Sequence, residues 1–212
     1  MPSLKLYYGD MPFWRAEVCR LALHLGKVPF EDVRIKTAEE REAFRASGKA
    51  PFGQVPILEV DGKIIAQTGG IARYCGKLGG FYPKDDDFAA AKVDEIIDTA
   101  TDITVAVGRT FRMEANEKIA ARKVLATETL PKYLKALEKI MTENGSTGYY
   151  VGKKMTIADI AMWRMFGWLA GGIVDGLPTN LLEPYTQVET NFKLVDQHPE
   201  ITAWMTTHYP KK

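Results

Sequence analysis

Residues 50–62, APFGQVPILEVDG, decide how the first part of this chain is read. Ile57, Leu58 and Val60 have β character, and Asp61-Gly62 is the dipeptide of a two-residue hairpin turn. Yet Pro56 stands at the mouth of that strand, where it removes a ladder donor. Either Pro56 marks where an edge strand begins, or the backbone before it is left unpaired for another molecule to pair with.

Working outward, KIIA (63–66) is the return strand of the hairpin, and LKLYY (4–8) and VPFEDVR (28–34) read as two more strands. Between these two, Ala16, Cys19, Leu21, Ala22 and Leu23 recur at helical spacing, predicting a helix over 14–26 that stops at Gly26. A short polar helix is predicted over 38–46. A third starts at Thr68 and ends near Leu78, before Gly79-Gly80. The order β-α-β-α-β-β-α predicts a mixed sheet with helices on its faces.

GGFYPKDDDF (79–88) is a break in composition, so residues 1–80 read as one domain, 81–86 as a linker and 87–212 as an all-helical domain. Helical patterns cover 87–112 and 115–143, the latter with Leu130, Tyr133, Leu134, Leu137 and Met141 on one face. Pro131 predicts a kink or a break there. The most apolar segment, 156–171, is predicted to be the central helix of the second domain. In its start, MTIAD, Thr156 and Asp159 have the spacing of a capping box. Two shorter helices follow, near 185–196 and 199–207.

The 212 residues are 46% hydrophobic and 26% charged with a net charge of +1, so neither nucleic acid nor an anionic membrane is expected as partner. The run 157–174 is interrupted by Asp159 and Arg164, which makes it a buried helix rather than a membrane span. The N-terminus enters a strand without a signal-peptide pattern. Cys19 and Cys75 fall in apolar helical contexts, as reduced thiols of a cytoplasmic protein would, and neither has metal-ligand spacing. No metal is expected.

The residues able to carry chemistry are Tyr7 and Tyr8 at the end of the first strand, Trp14 and Arg15 opening the first helix, Val55-Pro56, and Gln67-Thr68 opening the third. Tyr7 and Tyr8 point to opposite faces of their strand. Gln67-Thr68 is also what a simple N-cap looks like. The segments KLYY, RAEVCRLAL, APFGQVPILEVDG, AQTGGIARY and TIADIAMW, in this order and at these spacings, resemble the cytosolic glutathione transferases. The sigma class, with the glutathione-dependent prostaglandin D synthases, is the most similar.

The resemblance spans nearly the whole chain. It implies a thioredoxin-like N-terminal domain, a helical C-terminal domain, a homodimer and glutathione as co-substrate. It also answers the question raised by Pro56. In the family this proline is cis, and the preceding residue, here Val55, pairs through its backbone with the cysteinyl unit of glutathione. Gln54, Val55, Pro56, Gln67 and Thr68 would bind glutathione, with the γ-glutamyl carboxylate at the N-terminus of the third helix. Threonine stands at Thr68 where the family has serine, and Gly69-Gly70 is expected to loosen the helix start.

Tyr8 matches the catalytic tyrosine whose hydroxyl stabilises the thiolate, and Arg15 the arginine near the thiol. The segment Pro12-Phe13-Trp14 makes the preceding loop one residue longer than the family's. Lys49 or Arg45, with Phe44 nearby, is expected to hold the glycine carboxylate. Asp102 matches an acid that reaches glutathione in the neighbouring subunit, although it also fits an ordinary charged helix face. Met11, Trp14, Thr104, Gly108 and Met165 would line the second-substrate pocket. Cys19 lies more than a turn inside its helix and reads as structural.

The function implied is a detoxifying transferase joining glutathione to small hydrophobic electrophiles. A glutathione-dependent isomerase is a variant of the same site. A crystallin-like or binding relative without activity is the rival from another class.

Overall fold

The computed structural model describes residues 1–210 and follows the expected order through the first domain. Strand β1 (Leu4–Gly9) leads into helix α1 (Trp14–Leu25), β2 (Glu31–Ile35) and α2 (Ala38–Ala46). The hairpin β3 (Ile57–Val60) and β4 (Lys63–Ala66) and helix α3 (Thr68–Gly79) follow. The sheet order is β2-β1-β3-β4. β1 and β2 run parallel, with α1 as the crossover such a pair requires, whereas β1–β3 and β3–β4 are antiparallel. β2 begins three residues later than the sequence pattern suggests; Pro29 has no N–H to give to a ladder. Asp61 (φ 48°) and Gly62 (φ 80°) both adopt positive φ, the backbone of the hairpin turn that Asp-Gly favours.

Helices α1 and α3 lie side by side, and their C-terminal ends meet glycine to glycine. A Cβ on Gly26 would fall 2.4 Å from the Gly79 Cα, so no larger residue fits this crossing. The buried face of α1 also holds two charges, Glu17 and Arg20, both 0% exposed. They pair with each other at 2.6 Å, and Arg20 also reaches Asp32 at 2.9 Å. The remaining Glu17 oxygen capacity is filled by the Trp204 indole N–H (3.0 Å) and the Tyr209 hydroxyl (2.5 Å), which fasten the C-terminal segment to the first domain.

From α4 (Asp87–Arg109) onward every described element is helical: α5 (Ala115–Val124), α6 (Leu130–Glu143), α7 (Ile157–Leu169), α8 (Thr186–Asp196) and α9 (Pro199–His208). A 3-10 turn, Thr110–Arg112, follows α4. Between α5 and α6 the chain widens into a π-helical segment, Leu125–Thr129, and Pro131 sits in the first turn of α6. Proline has no N–H for the carbonyl one turn back, so the expected break takes this form.

Helix α7 is the centre of the second half. Of its 13 residues only Arg164, Gly167 and Trp168 escape full burial, and these share one face. Its N-terminus carries the expected capping box. The Thr156 hydroxyl accepts from the Ala158 amide at 3.2 Å, and Asp159 accepts from the Thr156 amide at 2.7 Å. Asp159 also accepts from the Tyr150 amide (3.0 Å), the Asn191 side chain (2.8 Å) and the Thr156 hydroxyl (2.9 Å). One buried carboxylate therefore joins the loop before α7 to α8. Among the described residues no helix is long and apolar enough to cross a membrane.

Candidate active site

The last β1–β3 pair is Tyr7 with Ile57, so β1 runs on through Tyr8 and Gly9 with no partner on that side. Just before β3 the Val55–Pro56 peptide is cis. Neither the amide nor the carbonyl of Val55 bonds to another backbone group among the described residues. Two cavities meet at this open edge, with Arg15, Gln54 and Val55 lining both. The first, about 440 Å³, runs to the start of α3 along Gln67, Thr68, Gly69 and Gly70, and its far wall is Asp98 and Thr101 of α4. The second, about 360 Å³, holds Tyr8, Met11 and, on α2, Arg41, Phe44 and Arg45.

Helix α3 leaves its first amides uncapped, since Gln67 makes no side-chain capping bond. Free amides at a helix N-terminus attract anions. Gln67 itself has φ 72°, a conformation rare for a residue with a Cβ and found where function needs it. Gly69-Gly70 does not prevent the helix from starting at Thr68.

An edge ready for a peptide, an anion-seeking helix end and a tyrosine between them suit a peptide bearing carboxylates. Residues 2–77 match the family model of the glutathione S-transferase N-terminal domain, and residues 101–208 that of the C-terminal domain. The chain is 34% identical to "Glutathione S-transferase 1" of Ascaris suum, covering 97% of this chain and 96% of that one. The chain belongs to the glutathione S-transferase family. It is also 31% identical to the hematopoietic prostaglandin D synthase of Gallus gallus, with 97% and 96% covered. The solved prostaglandin D synthase of Nilaparvata lugens superposes over both whole chains with a TM-score of 0.83 at 29% identity.

In this transferase Tyr8 is nearly buried, 7% exposed, and burial pushes its phenol up to about 12, while the Arg15 and Arg20 guanidinium charges pull it down. The hydroxyl therefore keeps its proton at neutral pH and is a donor rather than a base. No described residue bonds to it through the side-chain hydrogen bonds that surround the site, and the Arg20 guanidinium lies 5.9 Å from its ring centre. Tyr7 is differently employed: its hydroxyl donates to Glu59 at 3.0 Å on the other face of the sheet.

That pairing also takes up Lys49. Its ammonium bonds Glu59 (2.7 Å) and the Tyr7 hydroxyl (3.0 Å), so it does not line the cavity, which has Arg45 and Arg41 instead. Asp102 is exposed and lines neither cavity of its own chain; Asp98, one turn earlier, does.

The second-substrate set divides. Met11 lies beside Tyr8, but Trp14 and Met165 are 0% exposed and Thr104 is 8% exposed. Trp14 enters the core because it opens α1 on the same face as Val18 and Leu21, both 0% exposed. Its indole N–H donates to the Thr104 hydroxyl at 2.7 Å, which donates in turn to the Ala100 carbonyl. Gly108 is exposed and lines neither cavity. Phe13, half-buried before Trp14, sets its ring edge-on to Trp168 at 5.1 Å, with Phe111 stacked beyond at 6.3 Å. Sequence reading missed this aromatic row. Its one signal was that Trp168 lies three residues beyond Met165, on the neighbouring part of the same helix.

Cys19 and Cys75 are free and fully buried, and burial pushes the Cys19 thiol well up, which suits a structural residue.

Proposed function

We propose that glutathione lies across the two joined cavities with its cysteinyl backbone on Val55 and its thiol at the Tyr8 hydroxyl. The observation that carries this reading is the unpaired Val55 backbone, which both cavities share. The γ-glutamyl carboxylate meets the α3 amides beside Gln67 and Thr68, and its ammonium meets Asp98. Gln54 and Pro56 form the floor. The glycine carboxylate goes to Arg45, with Arg41 beside it.

Chemistry follows from the thiol. With a pKa of about 8.5, only roughly 3% of a free thiol is ionised at pH 7. A donated hydrogen bond from Tyr8 and the positive charge of Arg15 stabilise the thiolate. The anion then attacks a hydrophobic electrophile held beside Met11 and Phe13, and the leaving group departs with its electron pair. With Trp14 and Thr104 inside the core, the room beside Tyr8 suits a small electrophile better than the extended lipid of an isomerase. The test is turnover of glutathione with an aryl chloride; no conjugate at millimolar substrates overturns the reading.

The carboxylate assignment has its own test. Arg45→Ala is expected to weaken glutathione binding about tenfold, the size of one charge-assisted hydrogen bond, while Lys49→Ala leaves it within about twofold. Calorimetric titration of both variants checks this, and the opposite ranking would restore Lys49.

The same reading makes the protein a cytoplasmic detoxifying enzyme with a division between residues 80 and 87. It is a homodimer in which Asp102 approaches the glutathione of the partner. Exposed Phe52 and Val105, both beside the first cavity, are apolar surface for a second chain to cover. Sedimentation at micromolar concentration is expected to find two chains; a monomer removes the role of Asp102 as well.

A further inference from the structure

The segment Asp10–Phe13 joins β1 to α1. It carries Met11 to the cavity beside Tyr8, and it delivers Arg15, the second residue of α1, to both cavities. Little in its own half of the chain fixes its far end. Pro12 has no N–H, and no backbone N–H among the described residues reaches the Pro12 carbonyl. Phe13, at the N-cap of α1, makes no side-chain capping bond. Arg34 holds the Asp10 carboxylate at 2.9 Å, two residues before Pro12. The Arg20 guanidinium reaches the Gly9 and Met11 carbonyls at 3.4 and 3.5 Å, long for such bonds, while its short contacts go to Glu17 and Asp32.

The firm hold comes from the helical half. The Arg164 Nε donates to the Pro12 carbonyl at 2.7 Å. This is the one hydrogen bond of that side chain among the described residues, in a helix whose other charge is Asp159. Next along the segment, the Phe13 ring meets Trp168 edge-on at 5.1 Å. Arg164 and Trp168 are four residues apart, so they stand one above the other on the face of α7 that is not fully buried. Two consecutive residues, Pro12 and Phe13, thus meet successive turns of one helix. Trp168 is supported in turn: Phe111 stacks on it at 6.3 Å, and the buried Arg122 guanidinium lies 4.8 Å from the Phe111 ring centre.

Arg15 stands two residues beyond Phe13, and a misplacement of about 1 Å near a reacting group can cost about a hundredfold in rate. We infer that Arg164 and Trp168 are positioning residues, which clamp Pro12 and Phe13 against α7 and so set Arg15 at the thiol and Met11 at the electrophile. The inference rests on the roles proposed above for Tyr8, Arg15 and Met11.

The test compares Arg164→Met, Arg164→Lys and Trp168→Leu with the unaltered protein. Methionine keeps an unbranched stem without a donor, whereas lysine keeps a cationic donor. In hydrogen–deuterium exchange of the free protein, the amides of residues 11–16 are expected to exchange about tenfold faster in Arg164→Met and Trp168→Leu, and near the unaltered rate in Arg164→Lys. In turnover of glutathione with an aryl chloride, the same two variants are expected to raise the KM for the chloride about fivefold. The KM for glutathione should stay within about twofold, since in the proposed mode glutathione is held by Val55, α3 and Arg45. The bound thiol, titrated by the absorbance of its thiolate, is expected to move up by about half a unit as Arg15 draws away. A merely structural loss would lower the folded fraction and leave both KM values and the thiol titration unmoved. That outcome overturns the inference, as does unchanged exchange in folded Arg164→Met or Trp168→Leu, or Arg164→Lys behaving like Arg164→Met. An unaltered protein that forms no conjugate overturns the proposed function instead, and the exchange comparison, which needs no glutathione, still decides the clamp.

Discussion

Tyr8→Phe is expected to leave the fold and glutathione affinity in place and to remove most of the turnover. The hydroxyl bonds no described side chain, so its removal leaves no partner unsatisfied. In the proposed binding mode, affinity comes from Val55, the α3 amides and the carboxylate contacts. What is lost is the hydrogen bond to sulfur. A rise of one to two units in the thiol pKa means roughly ten- to a hundredfold less thiolate near pH 7. Because burial holds the phenol up to about 12, the tyrosine remains a donor across the working range, and its own ionisation does not shape the profile. Raising the pH should restore part of the variant's rate, as bulk deprotonation replaces the missing bond. The pH-rate profiles of the two proteins check this. An unchanged rate and profile would move the role to Arg15 or to no side chain.

Asp159→Ala is expected to cost about 3–5 kcal/mol, far more than an ordinary helix cap. The carboxylate is fully buried and accepts four hydrogen bonds, so alanine strands the Tyr150 and Thr156 amides and the Asn191 side chain at once. In a chain of this length that corresponds to a fall in melting midpoint on the order of 10 °C. Thr156→Ala, which loses one acceptor for the Ala158 amide, should cost about 1–2 kcal/mol.

The pH dependence carries a sign. Burial pushes the Asp159 carboxyl up to about 6, above its unfolded value near 3.9, although four donors favour the charged form. The folded state then binds the proton more tightly, so this group stabilises more at pH 5 than at pH 7. Melting midpoints of both proteins at the two pH values check the size and the sign. A loss below 1 kcal/mol, or a difference that grows with pH, contradicts the account.

Much of the site was legible because its parts are local. Pro56, Asp61-Gly62 and the alternation of β3 lie within one short stretch, as do Gln67 and Thr68 at the start of α3. Tyr8 and Tyr7 could be assigned to opposite faces from strand geometry alone. The end of α3 at the glycine pair, where Gly80 takes φ 83°, and the break near Pro131 also follow from the backbone chemistry of single residues. Gly26, by contrast, keeps a helical φ of −75° and is required by its crossing with Gly79.

Only the tertiary structure decided the rest. Lys49 and Arg45 are both basic residues at loose spacing, and nothing local says that Glu59, ten residues away on β3, captures the lysine. Trp14 looked like pocket lining until its indole met Thr104, ninety residues along the chain. Asp98 and Asp102 stand one turn apart on α4, and the orientation of that helix against α3 puts Asp98 at the cavity of its own chain. Arg164 looked like an interruption in an apolar helix; its guanidinium meets the Pro12 carbonyl, 152 residues back along the chain. Backbone pattern and turn chemistry depend on neighbours in sequence, and these the chain determines by itself. Which partner a charge finds, and which side of an aromatic ring is left open, depend on neighbours in space, which packing alone selects.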